Sequence, residues 1–281
     1  MSHVLVTGAT GFVGRQIVRR LIADGRRVSV VLRRASAGRR GALPDGAAIV
    51  ETEDLFREDE GWWAGILSGV DTLVHAAWYV EPGKYLDAAE NLQCAASAFA
   101  MARGAANAGV THLVGLGTCF EYRLPNASIG ADAPVGPTTL YAAAKLSVFQ
   151  VLEQYLPRRG IAFSWCRLFY LYGEGEHPAR LVPYVRARLD AGETARLSAG
   201  TQLRDFLDVA DAGALIAEVV ATRQTGVVNI CSGRAVTIRD FVTAIARDLG
   251  REDLLEFGTA TLHPSDPAAV VGRCNVERRA R

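Results

Sequence analysis

The 281-residue chain lacks any run of about 18 consecutive apolar residues, so no segment is expected to cross a membrane. Neither sign of charge is in excess, because the formal net charge is +1, and this argues against nucleic acid or an anionic membrane surface as the main partner. The five cysteines are scattered, odd in number and without metal-ligand spacing. We therefore expect a globular cytoplasmic protein with reduced thiols and no metal site.

Lysine is also scarce. Of the 31 lysines and arginines in the chain, two are lysines, Lys84 and Lys145. A chain that uses arginine for nearly every cation thus carries an ammonium group at position 145. An ammonium is a compact point donor, and the planar guanidinium fork does not substitute for it where hydroxyl groups must be reached. Lys145 is therefore a candidate for a chemical role.

The most informative feature that is present is a glycine-rich turn over residues 4–15, which read VLVTGATGFVGR. Three apolar residues, a turn and a helix-compatible run follow one another. Glycines in such a turn permit a tight reversal, close approach of the backbone to a pyrophosphate, and close packing of the helix. The helix N-terminus then offers free N–H groups and partial positive charge to phosphates. The turn predicts a dinucleotide site whose contacts here are Gly8, Thr10, Gly11, Phe12, Val13 and Gly14.

Strand-like and helical patterns alternate over the first two-thirds of the chain. Such alternation predicts an α/β fold of the Rossmann type, a doubly wound parallel sheet with helices on both faces. Ligands then bind beyond the carboxyl ends of the strands. The strand-like runs are 3–7, 27–32, 47–50, 71–76, 111–116 and 161–167, and the helical runs are 12–24, 60–69, 85–109 and 139–156.

After about residue 170 the alternation breaks. We predict a dinucleotide-binding domain over 1–168 and a smaller substrate-binding lobe over 169–281, with the helix at 209–222 packing back on the first domain. The other elements expected in this part are helices at 180–191 and 237–249 and a strand at 227–230.

The end of the second strand favours NADP(H) over NAD(H). A site that prefers NAD usually carries an acidic residue there for the ribose hydroxyls. This strand ends instead in Arg33 and Arg34, and two guanidinium groups can hold a 2′-phosphate in a fork. In the alternative interpretation, both arginines lie in a solvated loop.

Two further strand ends supply candidate cofactor contacts. Asp54 and Leu55 follow the third strand and are expected at the adenine. Ala76 and Ala77 end the fourth strand with small side chains that permit close approach of the cofactor. His75, which precedes them, is more simply a packed histidine at a strand end than a catalyst.

Tyr141 and Lys145 are four residues apart, which places them one turn apart on the same helix face. A cation beside a phenol favours the phenolate, so we expect Lys145 to lower the pKa of Tyr141 and also to contact the ribose of the cofactor. Tyr141 would exchange a proton with a substrate oxygen. Thr118 ends the fifth strand, where its hydroxyl can donate to the same oxygen. The alternatives are a chance pair on a solvated helix and a threonine that caps a turn.

In combination, these motifs resemble an extended short-chain dehydrogenase/reductase of the NAD-dependent epimerase/dehydratase type, whose members modify nucleotide sugars. The resemblance rests on the glycine turn, Asn91, Thr118, the Tyr141–Lys145 pair and the segment QLRDFLDVAD at 202–211. It spans nearly the whole chain.

The resemblance implies two partners, a nucleotide-sugar substrate and a second copy of the chain. Arg204 would bind the diphosphate of the substrate, and a guanidinium does match phosphate oxygens bidentately. The alternative is an ion pair of Arg204 with Asp205 or Asp208. The helices over 85–109 and 139–156 would form the interface of a homodimer, unless their apolar faces contact only the sheet.

The residues after Thr118 narrow the reaction. Dehydratases of the family carry Asp and Glu there, whereas this chain has Cys119 and Phe120, so 4,6-dehydration is not expected. Related epimerase/reductases place a catalytic cysteine where this chain has Phe120, so we expect Cys119 mainly in the core. Glu121 replaces a usually apolar residue and would reach the sugar or only solvent, and Trp78 would line the sugar pocket or pack in the core. The candidate substrate contacts are Trp78, Thr118, Cys119, Phe120, Tyr141 and Arg204, with His177 and Arg180 as further candidates from the second lobe.

These features together predict an NADPH-dependent 4-ketoreductase of a nucleotide-linked 4-keto-6-deoxy sugar. Hydride would go to C4, Tyr141 would donate the proton and Thr118 would hold the oxygen. The alternatives are an NAD-dependent nucleotide-sugar 4-epimerase, a reductase of a non-sugar apolar ketone, and a protein that senses NADP without catalysis.

Overall fold

The centre of the fold is a parallel sheet whose strands are rich in valine, leucine and isoleucine. The computed structural model describes residues 2–35, 41, 43–261 and 266–279. The strands are β1 (His3–Thr7), β2 (Arg27–Arg33), β3 (Ala48–Thr52), β4 (Thr72–His75), β5 (His112–Thr118), β6 (Asn126–Ile129), β7 (Ala162–Leu168), β8 (Tyr170–Tyr172), β9 (Ala195–Leu197), β10 (Leu203–Arg204), β11 (Phe206–Asp208), β12 (Gly226–Ile230), β13 (Val236–Thr237), β14 (Leu255–Phe257) and β15 (Ala269–Gly272). The helices are α1 (Phe12–Ala23), α2 (Glu60–Ile66), α3 (Glu90–Ala108), α4 (Leu140–Tyr155), α5 (Leu181–Asp190), α6 (Val209–Thr222) and α7 (Ile238–Asp248).

In the described residues the large sheet has seven strands in the order β3-β2-β1-β4-β5-β7-β12, and every neighbouring pair is parallel. The strand order reverses between β1 and β4, which pair in register so that Thr7 lies beside His75. In sheets of this kind the crevice beyond such a reversal is where ligands bind. The predicted doubly wound parallel sheet is confirmed.

Helices cover both faces of the sheet, and this explains why the central strands are buried along their whole length. α1 and α6 cover one face, where Gly213 of α6 leaves room for Gln16 of α1: a Cβ at Gly213 would lie 2.7 Å from the Gln16 side chain. α2, α3 and α4 cover the other face around Trp63 and Trp165.

Residues after 168 build smaller sheets beside the large one and also return to it. β8 pairs with β11, β9 pairs with β14, and β10 joins β13, β15 and β6. α5 and α7 enclose a separate apolar cluster around Val185 and Val242. β12 extends the large sheet, and α6 packs against α1. No helix within the described ranges is long and apolar enough to cross a membrane.

One helix begins later than its sequence pattern predicts. The helix expected from residue 85 starts at Glu90, and turns precede it. The amide of Asn91 donates to the Tyr85 and Ala88 carbonyls at 2.7 and 2.9 Å, which holds the incoming chain in those turns. The residues before Glu90 therefore stay out of the helix and run along the carboxyl edge of the sheet.

Candidate active site

The glycine turn packs directly onto the end of β4. Gly8 has φ +67°, and a Cβ there would lie 2.7 Å from backbone atoms of Ala76 and Ala77. A Cβ at Gly14 would lie 2.1 Å from the Gly8 carbonyl oxygen. The Gly11 N–H donates to that same oxygen at 2.9 Å. The turn therefore has room for backbone only and leaves the N-terminus of α1 open, which fits the pyrophosphate of a dinucleotide.

A cavity of about 890 Å³ opens beyond this turn and runs along the carboxyl ends of the strands. It is large enough for a cofactor and part of a substrate. Most of the predicted cofactor contacts line it, namely Gly8, Thr10, Gly11, Phe12, Val13, Gly14, Arg33, Leu55, Ala76, Ala77 and Lys145.

Two predicted cofactor contacts, Arg34 and Asp54, do not line this cavity. The Arg34 guanidinium lies 2.6 Å from Glu53 and 3.6 Å from Glu51, so acidic residues at the end of β3 neutralise it. The Asp54 carboxylate accepts the Phe56 N–H at 3.1 Å and caps a short 3-10 helix over Leu55–Arg57. Local partners thus hold both side chains, and the expectation that they face the cofactor is not met.

The side chains of Thr118, Tyr141 and Lys145 all line the same cavity. α4 begins at Leu140 because the Thr139 hydroxyl caps it by accepting the Ala142 N–H. This start places Tyr141 on the first turn and Lys145 one turn later. The Thr118 hydroxyl lies close enough to the Tyr141 hydroxyl to favour the ionised form of the phenol, which lowers its pKa slightly against the effect of burial. The structure therefore brings the three predicted catalytic side chains together.

In this structure, burial and not Lys145 sets the direction of the pKa shift of Tyr141. Burial disfavours the charged form of each group, so it raises the pKa of Tyr141 and lowers the pKa of Lys145 to about 7. The Lys145 ammonium instead donates to the Leu116 carbonyl at 2.6 Å and lies 6.0 Å from the centre of the Tyr141 ring. Tyr141 therefore carries its proton, as a proton donor must.

Trp78 packs against Lys145 and Tyr141. Its indole N–H donates to the Asn91 side-chain oxygen at 2.8 Å, and the Lys145 ammonium lies 3.9 Å from its ring centre. Tyr85 packs edge-on against Tyr141 with ring centroids 4.9 Å apart. Trp78 is buried and yet lines the cavity, so its core position and its pocket position coincide.

The residues after Thr118 form a short 3-10 helix over Cys119–Glu121. Cys119 is buried at the wall of the cavity, and burial raises the pKa of its thiol to about 12, which disfavours the reactive thiolate. Phe120 lines the cavity and packs edge-on against Tyr170. Glu121 reaches neither the sugar pocket nor solvent, contrary to both alternatives, because it is fully buried and paired with Arg167.

Arg204 lies at a second cavity of about 470 Å³ that adjoins the first. Its guanidinium is buried and lies 2.6 Å from Asp266, so its partner is neither Asp205 nor Asp208. The residues that line both cavities are Tyr170, Leu171, Glu176, Ala179 and Arg180. A ligand that extends from the catalytic group toward Arg204 would therefore pass Arg180. His177, the other candidate from the second lobe, lines the first cavity.

Arg15 and Tyr85 are two of the cavity residues that the sequence analysis did not identify. Arg15 follows Gly14 on the first turn of α1, where a cation faces the phosphate end of the cavity. Its position next to the glycine motif was the available signal. Tyr85 lies in the turns before α3, and since the sequence predicted helix there, no signal marked its orientation.

A family model described as NAD dependent epimerase/dehydratase family matches residues 4–231. The chain belongs to this family. The dTDP-6-deoxy-L-talose 4-dehydrogenase (NAD(P)(+)) of Kitasatospora kifunensis is 31% identical over 265 residues, which are 89% of this chain and 80% of the relative. The dTDP-6-deoxy-L-talose 4-dehydrogenase (NAD(+)) of Aggregatibacter actinomycetemcomitans is 23% identical over 242 residues, 85% of this chain and 88% of the relative.

Solved structures agree with this epimerase/dehydratase family fold. DesIV (dTDP-glucose 4,6-dehydratase) from Streptomyces venezuelae, with NAD and TYD bound, matches with a TM-score of 0.82 at 24% identity. The match covers 99% of this chain and 92% of that chain. As a member of the epimerase/dehydratase family, the chain is an NAD(P)-dependent enzyme.

Proposed function

We propose that this protein reduces the 4-keto group of a nucleotide-linked 4-keto-6-deoxy sugar and uses NADPH in preference to NADH. The observation that carries the proposal is the meeting of Thr118, Tyr141 and Lys145 in the cavity that the glycine turn opens. Cys119 and Phe120 stand beside this group, so these two positions supply no acid–base pair for dehydration. The two dTDP-6-deoxy-L-talose 4-dehydrogenases support a reaction at C4, because 4-dehydrogenation is the reverse of 4-keto reduction.

The side chains divide the work of a reduction. A reduced nicotinamide supplies hydride to the carbonyl carbon when bound. Tyr141 donates its proton to the carbonyl oxygen, and the raised pKa of Tyr141 keeps that proton in place until it is needed. Thr118 donates a hydrogen bond to the same oxygen. Lys145 stabilises the phenolate that Tyr141 becomes. The products are the 4-hydroxy sugar and the oxidised cofactor.

Arg204 and its surroundings suit the diphosphate of the substrate. The guanidinium is held over the Tyr170 ring, 5.1 Å from it, and its side chain is nearly inaccessible except through the second cavity. Gln202 and Arg204 together hold the Asp266 carboxylate at 3.0 and 2.6 Å. A phosphate would replace this carboxylate as the acceptor, and both are recognised by the same planar donors.

A second candidate function, an NAD-dependent nucleotide-sugar 4-epimerase, has one observation in its favour. Arg34 is neutralised by Glu51 and Glu53, so one of the two guanidinium groups expected to hold a 2′-phosphate is already paired and does not line the cavity. Arg33 remains in the cavity and favours the 2′-phosphate. The preference for NADPH therefore rests on Arg33 alone of the two arginines.

The decisive experiment incubates the protein with a dTDP-linked 4-keto-6-deoxy sugar and NADPH or NADH. We expect stoichiometric loss of the absorbance of the reduced nicotinamide together with formation of the 4-hydroxy product, faster with NADPH. Interconversion of UDP-glucose and UDP-galactose without net use of cofactor would favour the epimerase. No turnover with a panel of dTDP-, CDP-, GDP- and UDP-linked 4-keto sugars would contradict the proposal.

The cofactor preference is tested at Arg33. Arg33→Ala removes the charged contact with the 2′-phosphate, so we expect the KM for NADPH to rise about tenfold while the KM for NADH stays unchanged. Arg57→Ala, which removes an exposed arginine near the same edge that does not line the cavity, is the matched control. An equal change in both KM values would exclude a role of Arg33 in selecting the phosphate.

The expected homodimer is supported by the faces of α3 and α4. Leu92 on α3 and Val151 on α4 have 60% and 49% of their surface exposed. A second copy packed on these two helices would bury both side chains and remove their apolar surface from water. We therefore propose that two copies of the chain form a homodimer through α3 and α4.

A further inference from the structure

A buried ion pair lies directly behind the catalytic threonine. Glu121 and Arg167 are 0% and 1% exposed, and the Arg167 Nε lies 2.7 Å from Glu121 Oε2. Neither side chain lines either of the two cavities. Charges at such depth are costly and call for a reason, since buried ion pairs are often no more stabilising than apolar residues of similar size.

Two glycines of β5 leave the space that the Glu121 carboxylate occupies. Trp165 of β7 lies under β5, where a Cβ at Gly115 would be 2.4 Å from its ring and a Cβ at Gly117 would be 2.3 Å from its indole nitrogen. A Cβ at Gly117 would also lie 2.6 Å from Glu121 Oε1. The two glycines therefore make the space in which the carboxylate and the indole meet. Arg167 is sandwiched between Tyr122 and Phe149, at 4.3 and 5.4 Å from their ring centres.

Every polar group in contact with the Glu121 carboxylate donates a hydrogen bond to it. Oε2 accepts from Arg167 at 2.7 Å and from the Trp165 indole N–H at 3.0 Å. Oε1 accepts from the same indole at 3.1 Å and from the backbone N–H of Thr118 at 2.9 Å. Burial raises the pKa of Glu121 and Arg167 opposes this, but four donor contacts fit an ionised carboxylate.

The last of these contacts reaches the active site. Thr118 is the residue at which β5 ends, and its hydroxyl accepts the Phe120 N–H at 3.3 Å, which leaves its proton free to donate. The carboxylate thus fixes the backbone of Thr118 while the short turn over Cys119–Glu121 fixes the side chain. The direction of the Thr118 hydroxyl toward Tyr141 depends on both.

We propose that Glu121 is a positioning residue: Arg167 and Trp165 hold its carboxylate, and the carboxylate holds Thr118 so that the threonine hydroxyl meets the substrate oxygen beside Tyr141. The assignment rests on the proposed function, because Thr118 matters only if a carbonyl oxygen is bound there. Placement errors of about 1 Å at a reacting centre reduce rates by about a hundredfold, so a rigid support behind the hydroxyl has a large effect available to it.

The first test is Glu121→Gln. The amide oxygen of the glutamine keeps the hydrogen bond from Arg167. The amide nitrogen, which is a donor, then faces the Thr118 N–H, which is also a donor, so the hydrogen bond to Thr118 is lost. We expect kcat for 4-keto reduction to fall roughly 10- to 100-fold, while the dissociation constant of the dinucleotide, measured by fluorescence, changes less than about twofold. Ser164→Ala is the matched control, since it removes the hydrogen bonds of a buried side chain on β7, the strand of Arg167, to His112 and to the Gln224 carbonyl, away from the cavity. It should keep the wild-type kcat even where its thermal midpoint falls.

A double-mutant cycle tests whether Glu121 acts through Thr118. In a Thr118→Ala background, Glu121→Gln should cost no further kcat, because the hydroxyl that it positions is gone. If Glu121→Gln lowers kcat by the same factor in both backgrounds, the carboxylate acts by another route and the assignment is overturned.

The pH profile tests whether Glu121 is ionised, as its four donor contacts indicate. The charge of Glu121 raises the pKa of both Tyr141 and Lys145, so its removal should shift the alkaline limb of the kcat profile to lower pH. An unchanged limb would show that Glu121 is not charged in the folded protein, which contradicts the carboxylate that the assignment requires. The other groups that influence these two pKa values are Tyr85, Cys119 and Thr118 at Tyr141 and Cys94 at Lys145, with His75 facing the ammonium.

A second variant covers the case in which Glu121→Gln does not fold. Glu121→Leu with Arg167→Met removes both charges at similar volume, a change that buried ion pairs often tolerate. It should unfold cooperatively and still show the lowered kcat. Wild-type kcat in this variant, or failure of both variants to fold, would make the pair structural and overturn the assignment. Wild-type turnover is measured first, so its absence counts against the proposed function and not against the role of Glu121.

Discussion

At the scale of single residues, burial sets the chemistry of the site. The surrounding protein removes much of the water around Tyr141 and Lys145, so the pKa of Tyr141 rises and the pKa of Lys145 falls to about 7. A tyrosine that stays protonated is suited to donate in a reduction. The lysine stands at a point where small changes in surrounding charge decide its protonation.

Tyr141→Phe tests the proton donor. Loss of the hydroxyl should lower kcat for 4-keto reduction by about 100-fold or more, since general acid catalysis contributes about that much, while cofactor affinity is nearly unchanged. Steady-state kinetics and a cofactor titration measure the two effects. Full turnover in this variant would show that another group donates the proton.

His75 is a buried, neutral residue that should lower the free energy of unfolding at acidic pH. Its Nδ1 lies 3.0 Å from the Thr7 hydroxyl, and burial lowers its pKa to about 3. The unfolded chain binds the proton near pH 6.5, so the folded state loses stability as the pH falls below that value. Between pH 7 and 4.5 this loss should be about 2–3 kcal/mol.

Urea unfolding of the wild type and of His75→Asn at both pH values measures this contribution. The variant keeps a polar partner for Thr7 but does not titrate, so its loss of stability between the two pH values should be smaller by that amount. His112, whose pKa burial lowers to about 4, is common to both proteins and cancels. Equal losses in the two proteins would show that His75 is charged in the folded state.

At the scale of elements, the turn between β1 and α1 packs so closely on itself and on the end of β4 that backbone atoms leave no room for a side chain at Gly8 or Gly14. Gly14→Ala would place a Cβ 2.1 Å from the Gly8 carbonyl oxygen, and since that atom is backbone, the turn itself must move. We expect a loss of about 1–3 kcal/mol in the free energy of unfolding and a large loss of dinucleotide affinity.

Gly65→Ala is the control for this substitution. Gly65 lies in α2 with nothing within 4 Å of its Cβ position, so alanine should raise stability by about 0.5–1 kcal/mol and leave dinucleotide binding unchanged. Denaturant unfolding and a fluorescence titration compare the two variants. A Gly14→Ala protein that binds dinucleotide like the wild type would contradict the close approach described for the turn.

At the scale of the whole molecule, the prediction concerns assembly. The protein should sediment as a dimer, and Leu92→Arg with Val151→Arg should convert it to a monomer, because desolvating two guanidinium groups in an apolar interface is costly. Ile49→Arg, at a residue of β3 that is 39% exposed and lies on neither helix, should remain dimeric. A wild-type monomer in sedimentation velocity at micromolar concentration would contradict the dimer.

Much of the fold could be predicted from the chain because its signals are local. The apolar runs became β1, β2, β4, β5 and β7 within a residue or two at most of their ends, and helices begin where Thr139 and Asp208 cap them. The glycine turn and the four-residue spacing of Tyr141 and Lys145 are also local, so the sequence could predict that these residues lie together at the cavity.

Only the tertiary structure decided which charges meet. Arg204 pairs with Asp266, Arg34 with Glu53, and Glu121 with Arg167, partners 62, 19 and 46 residues apart. No periodicity or spacing marks such pairs, because an ion pair depends on distance in space and on the loss of water around it. For the same reason, the sequence by itself determined that Lys145 stands beside Tyr141, but burial, which is a property of the whole fold, decided the direction of both pKa shifts.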